Sequence, residues 1–467
     1  MNTQRNRPML VPLAAVVAAA QGACTAPDGL LGSVHGADSS GLPTDTGGSG
    51  PVGPGPAECA LTSPLVTLPT SDTEGGFTTC TGRIATAHFL NALCTCGDAA
   101  LGDALVTRGF DSSRGAFDPD RVDDGGAAVG VNGNYSSAAG STDIGGSLSI
   151  AGTDDIQFVG SLQVRGDLRA AGDVTAAGYS TVARNAWLAG SFLGIGPFMV
   201  SGELHHAATV SAVPLVAGSQ YEEDVAIAPP CACEPSEILD VGALVDQASQ
   251  DNDNATWNIQ SSALESITGD TRLALPCGRF YLTRIAGGGD VVLEISAPTA
   301  VFIDESIDLD GGLFVELDPG TEFDVFVRGS VQIAGTVELG TEQRPAAGRM
   351  YVGGDGEIAL AQTWVGNLYA PRSRVTSAEP IEIWGSIFAD EFLVSDSANF
   401  VFDRSIYSMG NSCEAAQLPT GACTPCGYCV SGLACVDGTC GPCRTDDDCC
   451  SQAICANGSC APLVEIR

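Results

Sequence analysis

The sequence repeats every six residues between Gly160 and Ala207. Seven of its eight six-residue units begin with glycine, and apolar side chains recur at the third and fifth positions, as at Leu162 and Val164. Because side chains alternate along a strand, these positions share one face, and glycine permits a sharp corner before the next strand. Three units, about 18 residues, make one coil, and coils stacked about 4.8 Å apart bury one another's apolar faces. The repeat therefore predicts a β-solenoid over 131–228.

A second β-rich region is predicted over 277–410. Its strands are longer and alternate apolar with polar residues between turns that contain Gly or Asp. This pattern fits a β-helical region and a β-sandwich equally. Between the two regions, 229–276 is predicted as a helical bridging segment, because an apolar stripe with helical spacing runs through 235–250. The predicted fold class is all-β: a hexad-type β-solenoid, a second β-helical or β-sandwich region, and a small disulfide-rich C-terminal tail.

The N-terminus is typical of an export signal, predicted as 1–23. Arg5 and Arg7 precede an apolar run, 9–20, and these twelve residues are too few to span a bilayer of about 30 Å. The predicted location is therefore outside the cytoplasm.

Cys24 is a candidate lipidation site. It follows Gly-Ala, as in a lipoprotein lipobox, but Gln21 stands where such a motif has an apolar residue. Free secretion after cleavage behind Ala20 is the alternative, so the chain is expected to be an outer-membrane lipoprotein or extracellular. Residues 24–58, rich in Gly, Pro and Ser, bury too little apolar surface to fold and are predicted to be a flexible tether.

The remaining cysteines are predicted to form disulfides. The chain has 19 cysteines, and 18 remain when Cys24 is set aside, an even number that allows complete pairing. Four lie in a predicted N-terminal cap, 59–130, and eleven in the tail, 411–467, which has too little apolar sequence to fold without crosslinks. The predicted disulfide cysteines are Cys59, Cys80, Cys94, Cys96, Cys231, Cys233, Cys277, Cys413, Cys423, Cys426, Cys429, Cys435, Cys440, Cys443, Cys449, Cys450, Cys455 and Cys460.

Spacing does not fix the pairing of these cysteines. A bond from Cys231 or Cys233 to Cys277 would anchor the bridging segment. The spacing of Cys423, Cys426 and Cys429 also resembles the start of an iron–sulfur or zinc site, but an oxidising compartment favours disulfides there.

The charge composition excludes several functions. Acidic residues outnumber basic ones 56 to 20, and all the basic residues are Arg. Without Lys the chain can form neither a Schiff base nor a P-loop. A net charge of -36 repels phosphate backbones, so nucleic acid is an unsuitable partner. Envelope or matrix components, polysaccharide among them, suit an exported acidic protein better.

Three stretches of sequence resemble a known group of proteins. They are VGVNGNYS (130–137), LALPCGRFYL (273–282) and WVGNLYAPRSRVTSAEPIEIWGSIFADEFLVS (364–395), the last followed by FVFD. They are similar to uncharacterised exported proteins of myxobacterial type that have a β-helical domain of unknown function and a Cys-rich tail. The hexads resemble, more distantly, the bactofilin-type polymer-forming β-helices. The resemblance implies a fold and export, and self-association as one alternative; it implies no catalytic residue.

One acidic segment is a candidate Ca²⁺ site. Asp118, Asp120, Asp123 and Asp124 place four carboxylates before a glycine, and hard cations favour such oxygen ligands. The EF-hand spacing fails, because Val122 occupies the third ligand position. A solvated acidic loop is the simpler interpretation, and no other cofactor is indicated.

Two further patterns resemble those of catalytic sites in other solenoids. His205 and His206 lie in the last hexad, where acyltransferase solenoids use a histidine base, although export separates the chain from cytosolic acyl donors. Solenoid lyases and hydrolases use grouped carboxylates, and the second β-rich region has Asp304, Glu305, Asp308, Asp310, Glu316, Asp318, Glu322 and Asp324. They mostly alternate with apolar residues, as on a solvated face, and Arg328 is their only basic neighbour in sequence.

The sequence thus favours a non-catalytic cell-surface or secreted structural or adhesive protein. A carbohydrate-binding or carbohydrate-cleaving solenoid and a self-assembling scaffold are the alternatives. Exposure of Trp364, Tyr369 and Trp384 in one groove beside carboxylates would favour the carbohydrate alternative, and their burial would favour a structural protein.

Overall fold

The computed structural model describes residues 65–66, 84–119 and 126–410, together with the backbone of four short strands between 434 and 462. The predicted signal, the tether, Cys59, Cys80 and the tail cysteines outside those strands lie beyond the described residues.

The first half of the solenoid consists mostly of three-residue strands separated by three-residue corners. It begins after a short helix, α1 (Ile84–His88). Its strands are β1 (Leu93–Thr95), β2 (Ala99–Leu101), β3 (Leu105–Phe110), β4 (Val129–Val131), β5 (Tyr135–Ser137), β6 (Thr142–Ile144), β7 (Leu148–Ile150), β8 (Ile156–Phe158), β9 (Leu162–Val164), β10 (Leu168–Ala170), β11 (Val174–Ala176), β12 (Ser180–Val182), β13 (Ala186–Leu188), β14 (Phe192–Gly194), β15 (Phe198–His206), β16 (Val210–Ser211) and β17 (Leu215–Glu222).

Three strands make one turn, so the coil is triangular. Each strand pairs in parallel with the strand one turn further on, and in the hexad region that partner lies 18 residues away, as Leu168 pairs with Ala186. The predicted three hexads per coil are confirmed. The apolar positions point inward, and Leu162 and Val164 are buried while Gln163 between them is exposed.

The second half winds in the same way with longer strands. Two helices, α2 (Val241–Gln250) and α3 (Asn254–Trp257), precede it. Its strands are β18 (Thr271–Leu275), β19 (Gly278–Leu282), β20 (Ile285–Gly287), β21 (Val291–Ile295), β22 (Thr299–Ile303), β23 (Ile307–Leu309), β24 (Leu313–Leu317), β25 (Phe323–Val327), β26 (Val331–Ile333), β27 (Val337–Glu338), β28 (Gly348–Val352), β29 (Glu357–Ala359), β30 (Thr363–Ser377), β31 (Ile381–Val394) and β32 (Ala398–Asp403).

The tail contains two short antiparallel pairs, described for their backbone alone. They are β33 (Ala434–Val436) with β34 (Thr439–Gly441), and β35 (Ala453–Ala456) with β36 (Ser459–Pro462).

The two halves form one continuous solenoid, stacked out of sequence order. The last coil of the second half, β31 and β32, pairs in parallel with the first coil of the first half, β1 to β3. The amide of Cys96 donates to the carbonyl of Ala389 at 3.0 Å, and that of Phe392 donates to Asp98 at 3.0 Å. One apolar core runs through both halves, in about 14 turns. The open choice between a second solenoid and a sandwich is settled in favour of the solenoid.

The path of the solenoid therefore begins at β1 in the middle of the stack and winds outward to β17. It then returns along the outside, through 223–266, to the opposite end and winds back to the middle. The return segment runs over one face, here called face A, which comprises β1, β4, β7, β10, β13, β19, β22, β25, β28 and the parts of β15, β17, β30 and β31 aligned with them. Helix α2 packs on β19, β22 and β25 of this face.

Two sequence predictions need correction, and one cysteine pairing that the sequence left open is resolved. The predicted cap, 59–130, contains a full coil of the solenoid, β1 to β3, because its short strands lack the glycine phase of the hexads but keep their apolar alternation. The predicted helix starts at Val241, since Asp240 caps it by accepting from the amide of Ala243. The cysteines Cys231 and Cys233 do not pair with Cys277: they bond to Cys94 and Cys96 respectively.

Glycine is required at the corners by the coil beneath, and Gly172 illustrates the reason. A Cβ at this position would overlap the carbonyl oxygen of Asp154 in the preceding coil. Backbone atoms fixed by the parallel ladder cannot move away from such a clash. Side-chain volume, rather than a left-handed backbone, therefore accounts for the repeated glycine.

We expect Gly172→Ala to lower the free energy of unfolding by about 2–3 kcal/mol, since overpacking against a fixed backbone has costs of that order. The matched control is Gly269→Ala, where a new Cβ has no heavy atom within 4 Å. Chemical denaturation of the two variants should differ by that amount; equal stabilities would refute this explanation of the hexad glycine.

Candidate functional surfaces on face A

The outward side chains of face A form columns along the solenoid axis, because the strands pair in register. In the second half one column is aromatic. The ring centroid of Phe326 lies 5.0 Å from that of Phe302 and 4.7 Å from that of Tyr351. Tyr369 and Phe388 continue it. All five rings are buried. This part of face A is therefore covered, in part by α2, and offers no open aromatic groove.

A buried ion cluster lies beside the aromatic column. The Arg349 guanidinium is fully buried and donates from Nε to Asp324 Oδ1 at 2.5 Å, from Nη2 to Glu322 Oε2 at 3.0 Å and from Nη1 to the carbonyl of Ala346 at 2.8 Å. Glu322 Oε2 also accepts from the amide of Gly410 at 2.6 Å. Burial is the largest single influence and would lower the pKa of Arg349, but the charges of Asp324, Tyr351 and Glu322 and the hydrogen bond to Asp324 together outweigh it, and the net shift is upward.

The candidate carboxylates of the second half thus have basic partners in addition to Arg328. Glu322 and Asp324 bind Arg349, Glu316 pairs with Arg272 at 2.9 Å, and Asp304 pairs with Arg328 at 2.9 Å. These partners were missed because they lie one or more coils away, some 20 to 45 residues in sequence. The arrangement is a set of ion pairs between coils and does not form a pair of opposed carboxylates.

His88 packs on the aromatic column with its imidazole 4.3 Å from the ring of Tyr369. Burial lowers the pKa of His88 from 6.5 to about 4. A histidine whose folded pKa is depressed stabilises the fold fully above the unfolded pKa and loses that contribution as the pH falls toward the folded value.

We therefore expect His88→Phe to weaken the acid sensitivity of the protein. Between pH 8 and pH 5 the wild type should lose about 2 kcal/mol of unfolding free energy more than the variant. Denaturation curves at both pH values measure the difference, and parallel losses in the two proteins would contradict the assignment.

Two disulfides clamp the return segment onto the joint between the halves. Cys94 bonds to Cys231 and Cys96 bonds to Cys233, each across 137 residues. Asn132, in the next coil, also binds the return segment at Cys231: its side chain donates to the carbonyl of Cys231 at 2.9 Å and accepts from the amide of Cys231 at 2.9 Å. The clamp therefore fixes the return segment to the first two coils.

The column continues in the first half as a partly exposed ladder. Arg169 lies 4.8 Å over the ring of Trp187, Trp187 stacks on His205 at 5.5 Å, and His205 stacks on Tyr221 at 5.0 Å. His205 Nδ1 lies 2.6 Å from Glu223, and its Nε2 lies 3.2 Å from Glu203. These rings present their faces to one another, so between coils they leave no free face for a sugar.

The two histidines of the last hexad point in opposite directions. His205 points outward into the ladder, whereas His206 points into the core and is held by the carbonyl of Ala208 at 2.8 Å and by Gln220 Nε2 at 2.8 Å. A neutral imidazole that donates to Ala208 and accepts from Gln220 satisfies both contacts. Both rings are thus engaged in packing and hydrogen bonds at the last coil.

Large exposed apolar side chains gather around the same end of the solenoid. Val213 is 81% exposed and Ile195 74%, and Leu193, Val216 and Tyr221 are also exposed. Strand β17 pairs with β15 on one side, and no described residue pairs with its outer edge.

The opposite end is covered on two of its three faces. Asp253 accepts from the amide of Arg279 at 2.8 Å and Asn254 accepts from that of Tyr281 at 3.0 Å, so the outer edge of β19 is occupied. The amide of Ala286 in β20 donates to the carbonyl of Leu264 at 2.8 Å. The two ends of the solenoid therefore differ: α3 and its flanking loops close one, and the other ends in a strand whose outer edge is open among the residues that the structure describes.

The candidate Ca²⁺ site is only partly within the described residues. Asp118 is described, whereas Asp120, Asp123 and Asp124 lie outside the described residues, so the Ca²⁺ prediction stays a prediction. Within the described ranges no group of three or more His, Cys, Asp or Glu side chains is arranged to hold a metal ion. Cys277 is disulfide-bonded.

Trp364, Tyr369 and Trp384, whose exposure in one groove would favour the carbohydrate alternative, do not line an exposed groove. Trp364 and Tyr369 are buried, and the half-buried Trp384 makes a T-shaped contact with Phe117, with the ring centroids 5.7 Å apart. Their positions favour a structural role for these side chains.

Comparison with known proteins identifies one domain. Residues 232–409 match the sequence model of a domain of unknown function, DUF7305, which here comprises the return segment from Ala232 onward, with Cys233 but not Cys231, and the second half of the solenoid. No curated protein and no solved structure matches the chain. In the part of the chain that the structure describes, no helix is long and apolar enough to cross a membrane.

Proposed function

We propose that this protein is an exported, non-catalytic structural element of the bacterial cell envelope, held at the surface by the tether 24–58 and by a lipid on Cys24, or secreted freely. The solenoid would serve as a rigid spacer that presents an acidic surface to envelope or matrix components. Its partner class is inferred from charge alone, since a net charge of -36 suits cationic and hydrated surfaces.

The clamp is the observation that carries this proposal. Two disulfides 137 residues apart in sequence hold the return segment on the joint of the solenoid. Disulfides of this kind persist in oxidising compartments and are rare in the cytosol. The clamp therefore supports export independently of the N-terminal sequence.

The arrangement of charged groups supports a non-catalytic role. Catalytic carboxylates of glycosidases face each other across a cleft, at separations of roughly 5 to 9.5 Å with room for substrate. Here Asp324, Glu322 and Glu316 are each bonded to an Arg of another coil. Such ion pairs join stacked coils, and the carboxylate oxygens are bonded within the protein itself.

Cell fractionation combined with thiol mapping tests the proposal. The full chain, expressed in a bacterium with an outer membrane, should be recovered from the envelope or the medium with Cys94, Cys96, Cys231 and Cys233 resistant to alkylation. A variant lacking 1–23 is the matched control and should stay in the cytoplasm with alkylatable thiols. Recovery of the full chain in the cytoplasm with these four thiols reduced would overturn the proposal.

Mass spectrometry of the exported protein separates its two anchoring modes. A diacylglycerol-modified Cys24 at the mature N-terminus indicates a lipoprotein, and Cys24→Ala should then release the protein into the soluble fraction. An unmodified N-terminus at Gln21 indicates free secretion.

A further inference from the structure

We propose that the end of the solenoid formed by β17 (Leu215–Glu222) binds a second copy of this chain, end to end, so that the two β17 strands pair antiparallel about a twofold axis. This inference names a partner and a surface, which the proposed structural role leaves open.

The open edge of β17 is the first observation. The strand is eight residues long and pairs with β15 on its inner side, while no described residue pairs with its outer side. An unpaired edge presents backbone donors and acceptors that readily accept another strand. Edges in soluble proteins are commonly protected by a covering segment, and the opposite end of this solenoid has such a segment at β19.

Exposed apolar side chains beside that edge are the second observation. Leu193, Ile195 and Val213 lie at or near one corner of the last coils, and Val216 points outward from β17 itself. Val213 and Val216 are 81% and 49% exposed. Tyr221 closes the ladder with its far ring face uncovered by any described ring. Apolar groups concentrated in this way are typical of association surfaces.

The bend in β17 favours a second copy of this chain as the strand that pairs with its outer edge. The strand bends at Gly218, where it passes from one face of the triangle to face A, so a partner strand must bend at the same point. A second β17 related by a twofold axis between Gly218 and Ser219 bends there too. Each Val216 would then lie opposite a Tyr221, placing apolar groups in contact.

Charge also fits the antiparallel arrangement. Glu222, Glu223 and Asp224 form an acidic end of the strand. In the antiparallel pair this end lies beside Leu215 of the other copy, and the two acidic ends are about 23 Å apart along the strand at roughly 3.3 Å per residue. Because the strand bends at the corner of the triangle, the straight-line distance is about 12 Å, which still exceeds the Debye length of about 8 Å at physiological salt, so their repulsion is weakened by screening.

The difference between the two ends predicts a closed dimer in place of a polymer. Stacking head to tail would require the partner's opposite end, where Asp253 and Asn254 occupy the edge of β19 and Leu264 that of β20. A twofold interface buries the same surface on both copies, so no third copy can bind there. Association should therefore stop at two.

Sedimentation velocity of the full mature chain, run as a concentration series, tests the proposal. We expect a monomer–dimer equilibrium, with Val216→Asp raising the dimer dissociation constant at least about tenfold. Val159→Asp is the matched control, because Val159 is similarly exposed, at 46%, but lies on a coil away from the end; it should dimerise like the wild type. Far-UV circular dichroism should show both variants folded.

A photo-crosslinking residue at Ser219 gives a second readout that does not depend on disrupting the interface. We expect a covalent dimer whose crosslinked peptide contains β17 of the other copy. Three results would overturn the proposal: a monomer at every concentration, a dimer that Val216→Asp leaves intact, or assemblies that grow beyond two. A crosslink from Ser219 to another segment of its own chain would identify that segment as the occupant and would also overturn it.

Discussion

Removing both clamp disulfides should destabilise the protein by about 5 kcal/mol, while removing either one alone should cost far less. Each bond closes a loop of 137 residues, and the chain-entropy relation gives about 5 kcal/mol for crosslinking ends that far apart. The two bonds join nearly the same points, because Cys94 and Cys96 are two residues apart and so are Cys231 and Cys233. Once one bond closes the long loop, the other closes only a small one.

The test is a double-mutant cycle on the two bonds. Cys94→Ser with Cys231→Ser removes one bond, Cys96→Ser with Cys233→Ser removes the other, and the fourfold variant removes both. We expect each pair alone to cost less than about 2 kcal/mol in urea denaturation, so that the fourfold loss exceeds the sum of the two. Two equal losses that add to the fourfold value would show that the bonds act locally and do not close the return segment.

The buried ion cluster should be the most sensitive point among the charged side chains. Arg349→Met removes the cation that faces Asp324 and Glu322, and Asp324 itself is buried. Breaking a buried ion pair from one side typically costs about 3–5 kcal/mol, because the carboxylate keeps its desolvation penalty and loses its counter-charge. The expected loss is of that size in the free energy of unfolding.

Replacing both members of the closest ion pair, while Glu322 keeps its bond to the amide of Gly410, distinguishes that explanation from lost packing. Arg349→Met combined with Asp324→Leu replaces the closest pair by apolar groups and should recover much of the loss. Arg374→Met is the surface control, because Arg374 and Glu391 are bonded at 2.6 Å but exposed, and it should change stability by at most about 1 kcal/mol. If the double variant is as unstable as Arg349→Met, packing rather than charge accounts for the effect.

The hexads made the local structure of the first half predictable. Glycine at each corner and apolar residues at positions three and five determine a three-residue strand that buries alternate side chains, as Leu162 and Val164 do. Longer alternation predicted the strands of the second half equally well. These features are local, since each follows from residues within one coil.

The order of the coils could not be predicted in this way. Parallel coils bind each other through backbone hydrogen bonds and small side chains, which look alike at every level of the stack. Nothing in 93–95 or 387–389 marks them as neighbours. The same limit hid the ion cluster: Glu322 and Asp324 alternate with apolar residues as on a solvated face, and Arg349 joins them only when the coils stack.

The site predictions were limited for a related reason. Disulfide partners cannot be deduced from spacing when many cysteines are present, so the pairing of Cys231 and Cys233 stayed open until the structure placed the return segment over Cys94 and Cys96. The exposed end at β17 was missed because the hexad pattern weakens after Ala207 without any signal that the stack ends there.

Hydrogen exchange at the joint between the halves tests the central claim most directly. In a continuous solenoid the amides of Cys96, Ile387, Phe392 and Ala398 donate across that joint. They should then be protected within about tenfold of Leu168, which lies deep in the first half. Exchange of these four amides as fast as that of an open strand edge would mean that the halves are separate domains, and would contradict the single stack of coils.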